Sequence, residues 1–183
     1  MIQQSKNDVE LGRFISLVLR HTPSAAGIQL DENGWAEVNE LLAGANRARK
    51  WIDMETLERI VRENNKQRYS FNEDHTKIRA NQGHSIQVDV ELKAQIPPDT
   101  LYHGTAIRFL DSIKRQGLTK QNRQHVHLSA DVATATNVGS RHGKPVVLSV
   151  NAATMASDGY TFYLSENGVW LCDAVPWEYI CML

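Results

Sequence analysis

Two clusters of basic side chains have the types needed to hold an anion: Arg20 with His21 at a helix end in LVLRH, and Lys66 with Arg68 in KQRYSF. A phosphate dianion is met best by planar guanidinium forks, which bond two oxygens at once, and an imidazole can pass a proton near neutral pH. Helical spacing between Val9 and His21 puts Arg13, Ser16 and Arg20 on one face, opposite Leu11, Phe14, Ile15 and Val18. Alone, that face reads as a solvated polar surface rather than a binding site. Lys66 and Arg68, on the approach to a hairpin, add a second cationic group and favour anion binding.

A second constellation lies later in the chain. Alternation over 125–129 sends His125, His127 and Ser129 to one side of a strand and Val126 and Leu128 to the other. His103-Gly104-Thr105 closes an apolar strand ahead of a helix, where a small residue lets a ligand approach closely. His103, His125 and His127 could in principle make a three-histidine zinc site, but no carboxylate or HExxH-type pattern accompanies them. Arg141-His142-Gly143 also has the composition of an ordinary helix C-terminus, and Glu166 that of a solvated residue beside a turn.

The elements that must position these groups fall into two sets. The first helix ends at Pro23, and GIQLDENGWAEV reads as an extended piece with a turn at Glu32-Asn33-Gly34. A second helix runs through Glu37 to Lys50, and a third starts at a capping Asp53 and continues towards Asn64. RYSF and KIRA flank a polar stretch from Asn72 to Thr76 as a hairpin, and helices followed by a hairpin predict a winged-helix arrangement. QIPPDT, with two adjacent prolines, can continue neither a helix nor a central strand and marks a connector. Lobes of 1–96 and 97–183 follow. The second is mixed: strands at LYHGT, HVHLS and PVVLSV, helices at FLDSIKRQ and DVATATNVGSRH, a hairpin turning at Asn167-Gly168, and a short strand near YICML. The fold class expected is therefore α+β.

Bulk properties narrow the function classes. With 183 residues, 42% of them hydrophobic, the chain can fill the core of one domain or two small lobes. A formal net charge of -1 means that any nucleic-acid binding rests on local Arg and Lys clusters rather than a global field. Cys172 and Cys181 have neither CxxC nor zinc-finger spacing, so a reducing, cytoplasmic setting without a structural metal is expected. No signal-peptide core and no run of eighteen apolar residues is present, so no membrane association is expected. No heptad seam calls for a partner helix, and a monomer is expected.

Taken in order, LGRFISLVLRHTPSAAGIQLDENGWAEVNELL, KQRYSF, IRANQGHS, LYHGT, HVHLS, GSRHGKPVVLSV and SENGVWL strongly resemble the segments of the RNA 2′-phosphotransferase family, the tRNA-splicing type with bacterial relatives. The resemblance spans nearly the whole chain. It implies a winged-helix RNA-binding lobe followed by an NAD-binding lobe with the ADP-ribosyltransferase fold. It implies Arg20, His21, Arg68 and Arg141 as the catalytic quartet, and His103, Gly104, Thr105, His127 and Ser129 as contacts to NAD, which serves as a co-substrate. It implies no metal, because the cations do that work. Family members lack the catalytic Glu of many ADP-ribosyltransferases, and the matching hairpin here offers Val169, so Glu166 is not a catalytic candidate.

The chemistry implied is removal of an internal RNA 2′-phosphate in two steps, with the guanidinium groups near 20, 68 and 141 expected to meet across the cleft between lobes. Two rivals stand beside it. One is an ADP-ribosyltransferase that stops after the first step, on nucleic-acid phosphate ends or protein. The other is a non-catalytic winged-helix RNA-binding protein.

Overall fold

The computed structural model describes residues 6–64 and 66–183, and these form a mixed α+β protein of two compact units, Met1–Glu91 and Leu92–Leu183. In the first unit the order is α1 (Lys6–Arg20), β1 (Trp35–Glu37), α2 (Val38–Arg47), α3 (Met54–Arg62), β2 (Tyr69–Phe71) and β3 (Lys77–Ala80). The apolar stripe of α1 is its buried face: Leu11, Ile15, Val18 and Leu19 pack with Leu41, Leu57, Ile60 and Ile78. Each such side chain, fully withdrawn from water, contributes about 1.5–3 kcal/mol before entropy is counted. A two-pronged ion pair from Arg59 to the buried Asp8 carboxylate joins α3 to α1 at 3.0 and 3.2 Å. Asp53 caps α3 by accepting the Thr56 N–H at 2.8 Å.

The hairpin is present, and the extended piece before α2 joins it, giving an antiparallel sheet in the order β1-β3-β2. Ala36 therefore lies opposite Ile78, and Phe71 pairs with Ile78 from the other side. The second helix stops at Arg47, short of the expected Lys50, because Arg49 takes a positive φ of 59° and turns the chain.

The second unit contains β4 (Thr100–Ala106), α4 (Leu110–Gln116), β5 (Leu118–Thr119), β6 (Val126–Leu128), α5 (Val132–Gly139) and β7 (Pro145–Asn151). It continues with α6 (Ala152–Ser157), β8 (Tyr163–Leu164), β9 (Trp170–Cys172), β10 (Ala174–Val175) and β11 (Ile180–Met182). Three antiparallel sheets result, ordered β11-β7-β4, β6-β9-β8 and β10-β5. Leu101, Leu128, Leu148, Val150, Met155 and Phe162 fill the core beneath them. Tyr102 and Ser129 exchange backbone hydrogen bonds of 2.9 and 2.7 Å, which join the β4 edge to the end of β6. The connector is tied to this unit: Ala94 bridges Tyr163, and the Gln95 N–H donates to the Phe162 carbonyl at 2.8 Å.

Two expectations for this unit change. The helix expected through His142 ends at Gly139 and tightens into a 3₁₀ turn, Ser140–His142, before Gly143 at φ 127°. The six-residue α6 was not foreseen: it is under two turns long, too short for periodicity, and is held by Asn151 accepting the Thr154 N–H. Among the described residues no helix is long and apolar enough to cross a membrane.

Candidate functional site

In the first unit, the helix end that carries Arg20 and His21 lies against the strand that follows Arg68. Arg20 donates from Nη2 to the Arg68 carbonyl at 3.3 Å. Tyr69, buried next to Arg68, donates its hydroxyl hydrogen to the Gly12 carbonyl. Since that hydrogen is used, Ser16 is the donor in the short contact between its hydroxyl and the Tyr69 oxygen. Burial pushes the Tyr69 phenol up, while the Ser16 hydrogen bond and the Arg20 and Arg68 charges pull it the other way. Ser16 is thus spent on the β2 contact, and Arg13 is exposed, so only Arg20 of that helix face reaches the cluster.

Arg68 is aimed from its own neighbourhood. The Asn64 side-chain oxygen accepts from Arg68 Nη1 at 3.2 Å and from the Lys66 N–H at 3.1 Å, and Asn64 is buried. Gln67 sits at φ 40°, a left-handed conformation that costs a non-glycine residue of order 1 kcal/mol. Its carbonyl accepts from Asn81 Nδ2 at 2.7 Å and its N–H donates to the Asn64 carbonyl at 2.8 Å, which hold the turn. Lys66 is exposed one step away.

The chain after β3 completes the cluster. His84 is 1% exposed, and burial pushes its imidazole down to about 4, helped by the charges of Arg20, His21 and Arg79. It is a neutral wall beside the cations. Because the unfolded chain takes up a proton on this ring at higher pH than the folded protein does, stability is full above about pH 6.5. It is lost as the pH falls towards 4, by on the order of 3 kcal/mol. His84→Gln is expected to flatten the decline of unfolding free energy over that range in urea titrations; an unchanged slope would assign the decline to other groups.

In the second unit, His103, Gly104 and Thr105 lie on β4 opposite Leu148, Val147 and Val146 of β7. The His103 ring donates from Nδ1 to the His127 carbonyl at 3.1 Å, which fixes its tautomer. Burial holds its imidazole below the ordinary range, opposed by that hydrogen bond. His127 accepts at Nδ1 from Arg123 Nη1 at 3.2 Å, a contact not foreseen. His125, His127 and Ser129 are partly exposed while Val126 and Leu128 are buried, so the alternation holds; His125 packs edge-on against Tyr163. Among the described residues no group of three or more His, Cys, Asp or Glu is placed to hold a metal ion.

Gly104 has a packing reason to be glycine. A Cβ there would stand 1.7 Å from the Ala135 carbonyl oxygen, and one on Gly139 would stand 2.6 Å from the Thr105 oxygen. Backbone therefore meets backbone where α5 crosses β4. Gly104→Ala is expected to destabilise by about 1–3 kcal/mol through forced displacement of α5; a melting temperature equal to the parent's would refute this contact. The α5 crossing also fixes where the 3₁₀ turn bearing Arg141 emerges. Arg141 and His142 are exposed, and His142 lies edge-on to Phe109 at 6.4 Å.

The structure therefore gathers Arg20, His21 and Arg68 in the first unit, and His103, Gly104, Thr105, His127, Ser129 and Arg141 on neighbouring elements of the second. Sequence reasoning missed Asn64, Asn81, His84 and Ser85. The string IRANQGHS was noted, yet nothing in its spacing told which side chains turn inward.

Comparison with known proteins adds a family-level finding. Residues 6–174 match the model of the family described as RNA 2′-phosphotransferase, Tpt1 / KptA family. The chain is 58% identical over 175 residues to a probable RNA 2′-phosphotransferase of Fusobacterium nucleatum, covering 95% of this chain and 98% of that one. It is 52% identical over 170 residues to a protein of the same description from Flavobacterium johnsoniae, covering 93% of each. A third, from Nostoc punctiforme, is 51% identical over 172 residues, 94% of this chain and 95% of its own.

Proposed function

Because the chain belongs to the RNA 2′-phosphotransferase, Tpt1 / KptA family, we propose that it removes an internal 2′-phosphate from RNA by passing it to NAD. The first unit serves as a winged-helix RNA-binding lobe and the second as an ADP-ribosyltransferase-like lobe that binds the dinucleotide. The observation that carries this reading is the gathering of Arg20, His21 and Arg68 around one turn of backbone, with Arg20 bonded to the Arg68 carbonyl. The charges of Arg20 and Arg68 both act on Tyr69, and a dianion is the ligand whose oxygens two such planar forks meet best. His103, Thr105, His127 and Ser129 support the NAD assignment, since they are polar groups on adjoining strands above an apolar core.

The reaction runs in two displacements. In the first, an oxygen of the RNA 2′-phosphate forms a bond to C1″ of the nicotinamide ribose as the glycosidic bond breaks. Nicotinamide departs with the bonding pair. The attacker is already anionic and needs no strong base. In the second, the ribose 2″-hydroxyl attacks phosphorus, the bond from phosphorus to the RNA 2′-oxygen breaks, and the hydroxyl proton is balanced by one delivered to that oxygen. RNA leaves with a 2′-OH, and ADP-ribose 1″,2″-cyclic phosphate is the other product.

Charge on the phosphoryl oxygens is greatest in the second displacement, where preorganised cations act most strongly. Arg20 and Arg68 grip the phosphate, His21 protonates the departing oxygen, and Arg141 meets the charge of the transition state. No divalent ion enters.

The test is incubation with NAD and an oligoribonucleotide carrying one internal 2′-phosphate, in chelator, with mass analysis. Expected are nicotinamide, 2′-OH RNA and the cyclic phosphate. RNA that stays ADP-ribosylated would assign a transferase that stops after the first step, and unconsumed NAD would overturn the reading.

A further inference from the structure

The chain leaving β3 ties both ends of the cationic cluster together. At one end Asn81 donates its backbone N–H to the Arg68 carbonyl at 2.9 Å and its side-chain amide to the Gln67 carbonyl, while the Ser70 hydroxyl donates to its Oδ1 at 2.8 Å. Gly83, at φ 88°, then turns the chain, and His84 is buried beside Arg20 and His21. At the other end the Ser85 N–H donates to the Arg20 carbonyl at 3.0 Å, and the Ser85 hydroxyl lies 2.9 Å from His21 Nδ1. The last of these contacts joins residues 64 apart in the chain.

We propose that Ser85 is a positioning residue for His21: its hydroxyl accepts the Nδ1 hydrogen, so that Nε2 is the ring nitrogen that gives and takes the proton. The inference rests on the role given to His21 above. A ring that protonates a leaving oxygen starts as an imidazolium, with hydrogen on both nitrogens. After it gives up the Nε2 hydrogen, the Nδ1 hydrogen remains. A hydroxyl acceptor at Nδ1 stays bonded through that change, because the bond it accepts is the one that is never broken.

Serine differs from a carboxylate in this position. A carboxylate would raise the basicity of the ring and hold the proton, whereas an uncharged hydroxyl orients the ring without adding an anion beside Arg20 and Arg68. The backbone bond from Ser85 to Arg20 fixes where that hydroxyl stands and does not depend on the side chain. Ser85→Ala therefore removes the orienting group and keeps the loop attached.

The experiment is nitrogen NMR of the full-length protein with ring-labelled histidine, His21 being assigned by the loss of its signals in His21→Asn. Above about pH 8, where an ordinary imidazole is neutral, His21 is expected to carry its hydrogen on Nδ1. In Ser85→Ala the hydrogen is expected to shift to Nε2, and Ser85→Thr should restore the parent pattern. In turnover of 2′-phosphorylated RNA with NAD, Ser85→Ala is expected to lower kcat about 10-fold with KM unchanged, Ser85→Thr to recover it, and Ser85→Ala to cost nothing further in a His21→Ala background. An unchanged tautomer in Ser85→Ala, or parental kcat in Ser85→Ala where His21→Ala is impaired, overturns the proposal. The proposed function fails separately, by full turnover in His21→Ala or none in the parent, and the tautomer is read without substrate.

Discussion

Arg141→Ala is expected to bind the 2′-phosphorylated RNA and NAD within a few-fold of the parent and to lose turnover by about 10²-fold or more, the usual cost of removing one preorganised group that meets developing charge. The size of the loss follows from when Arg141 acts. A group that holds ground state and transition state equally well moves KM, whereas one that engages only as charge builds on the phosphoryl oxygens moves kcat. Its setting fits the second case. Arg141 projects from a three-residue 3₁₀ turn whose start is pinned where Gly139 meets the Thr105 backbone, so the guanidinium is carried by a fixed element. Among the described residues no carboxylate pairs with it. The substitution should then leave the melting temperature unchanged, which separates a chemical defect from a folding one. Parental kcat in Arg141→Ala would remove this residue from the mechanism.

How far the sequence reached is seen best in α1. The spacing of Leu11, Ile15 and Val18 was enough to fix the buried face, because burial of one helical stripe is a local, periodic signal. The same spacing put Arg13, Ser16 and Arg20 together, and that is where local reasoning ended. Ser16 turned out to be committed to Tyr69, and Arg13 to exposed surface, since what each polar side chain meets depends on a strand many residues away. The hairpin of β2 and β3 was legible from its turn; the addition of β1 to its edge was not, because three residues of WAE carry no alternation long enough to read.

The groups that aim the cations were the least visible. Asn81 and Ser85 reach partners 14 and 64 residues away, Asn64 reaches residues two and four away only because the chain turns at Gln67, and their residue types are common in loops. Gly104 illustrates a different gap. Its smallness was legible, but the neighbour that requires it, the Ala135 carbonyl, is fixed only once α5 is laid across β4.

Arg68→Lys is expected to lower kcat/KM by about 10- to 10²-fold, which is the loss of one hydrogen bond to a charged group at roughly 1.5–3 kcal/mol. Net charge is kept, so any defect reports geometry. In the parent, one guanidinium nitrogen is held by Asn64 Oδ1 at 3.2 Å, which sets the plane of the fork and directs its remaining N–H groups. An ammonium has no plane. It can satisfy Asn64 or the phosphate along one direction, and its hydration shell must be stripped to do either. Asn64→Ala should therefore weaken the arginine enzyme and have little further effect in the lysine variant, because the positioning it supplies has no fork to act on. Equal losses on both backgrounds would show that Asn64 serves the Gln67 turn alone, and near-parental kinetics in Arg68→Lys would mean that the phosphate is held at this position by charge without a bidentate fork.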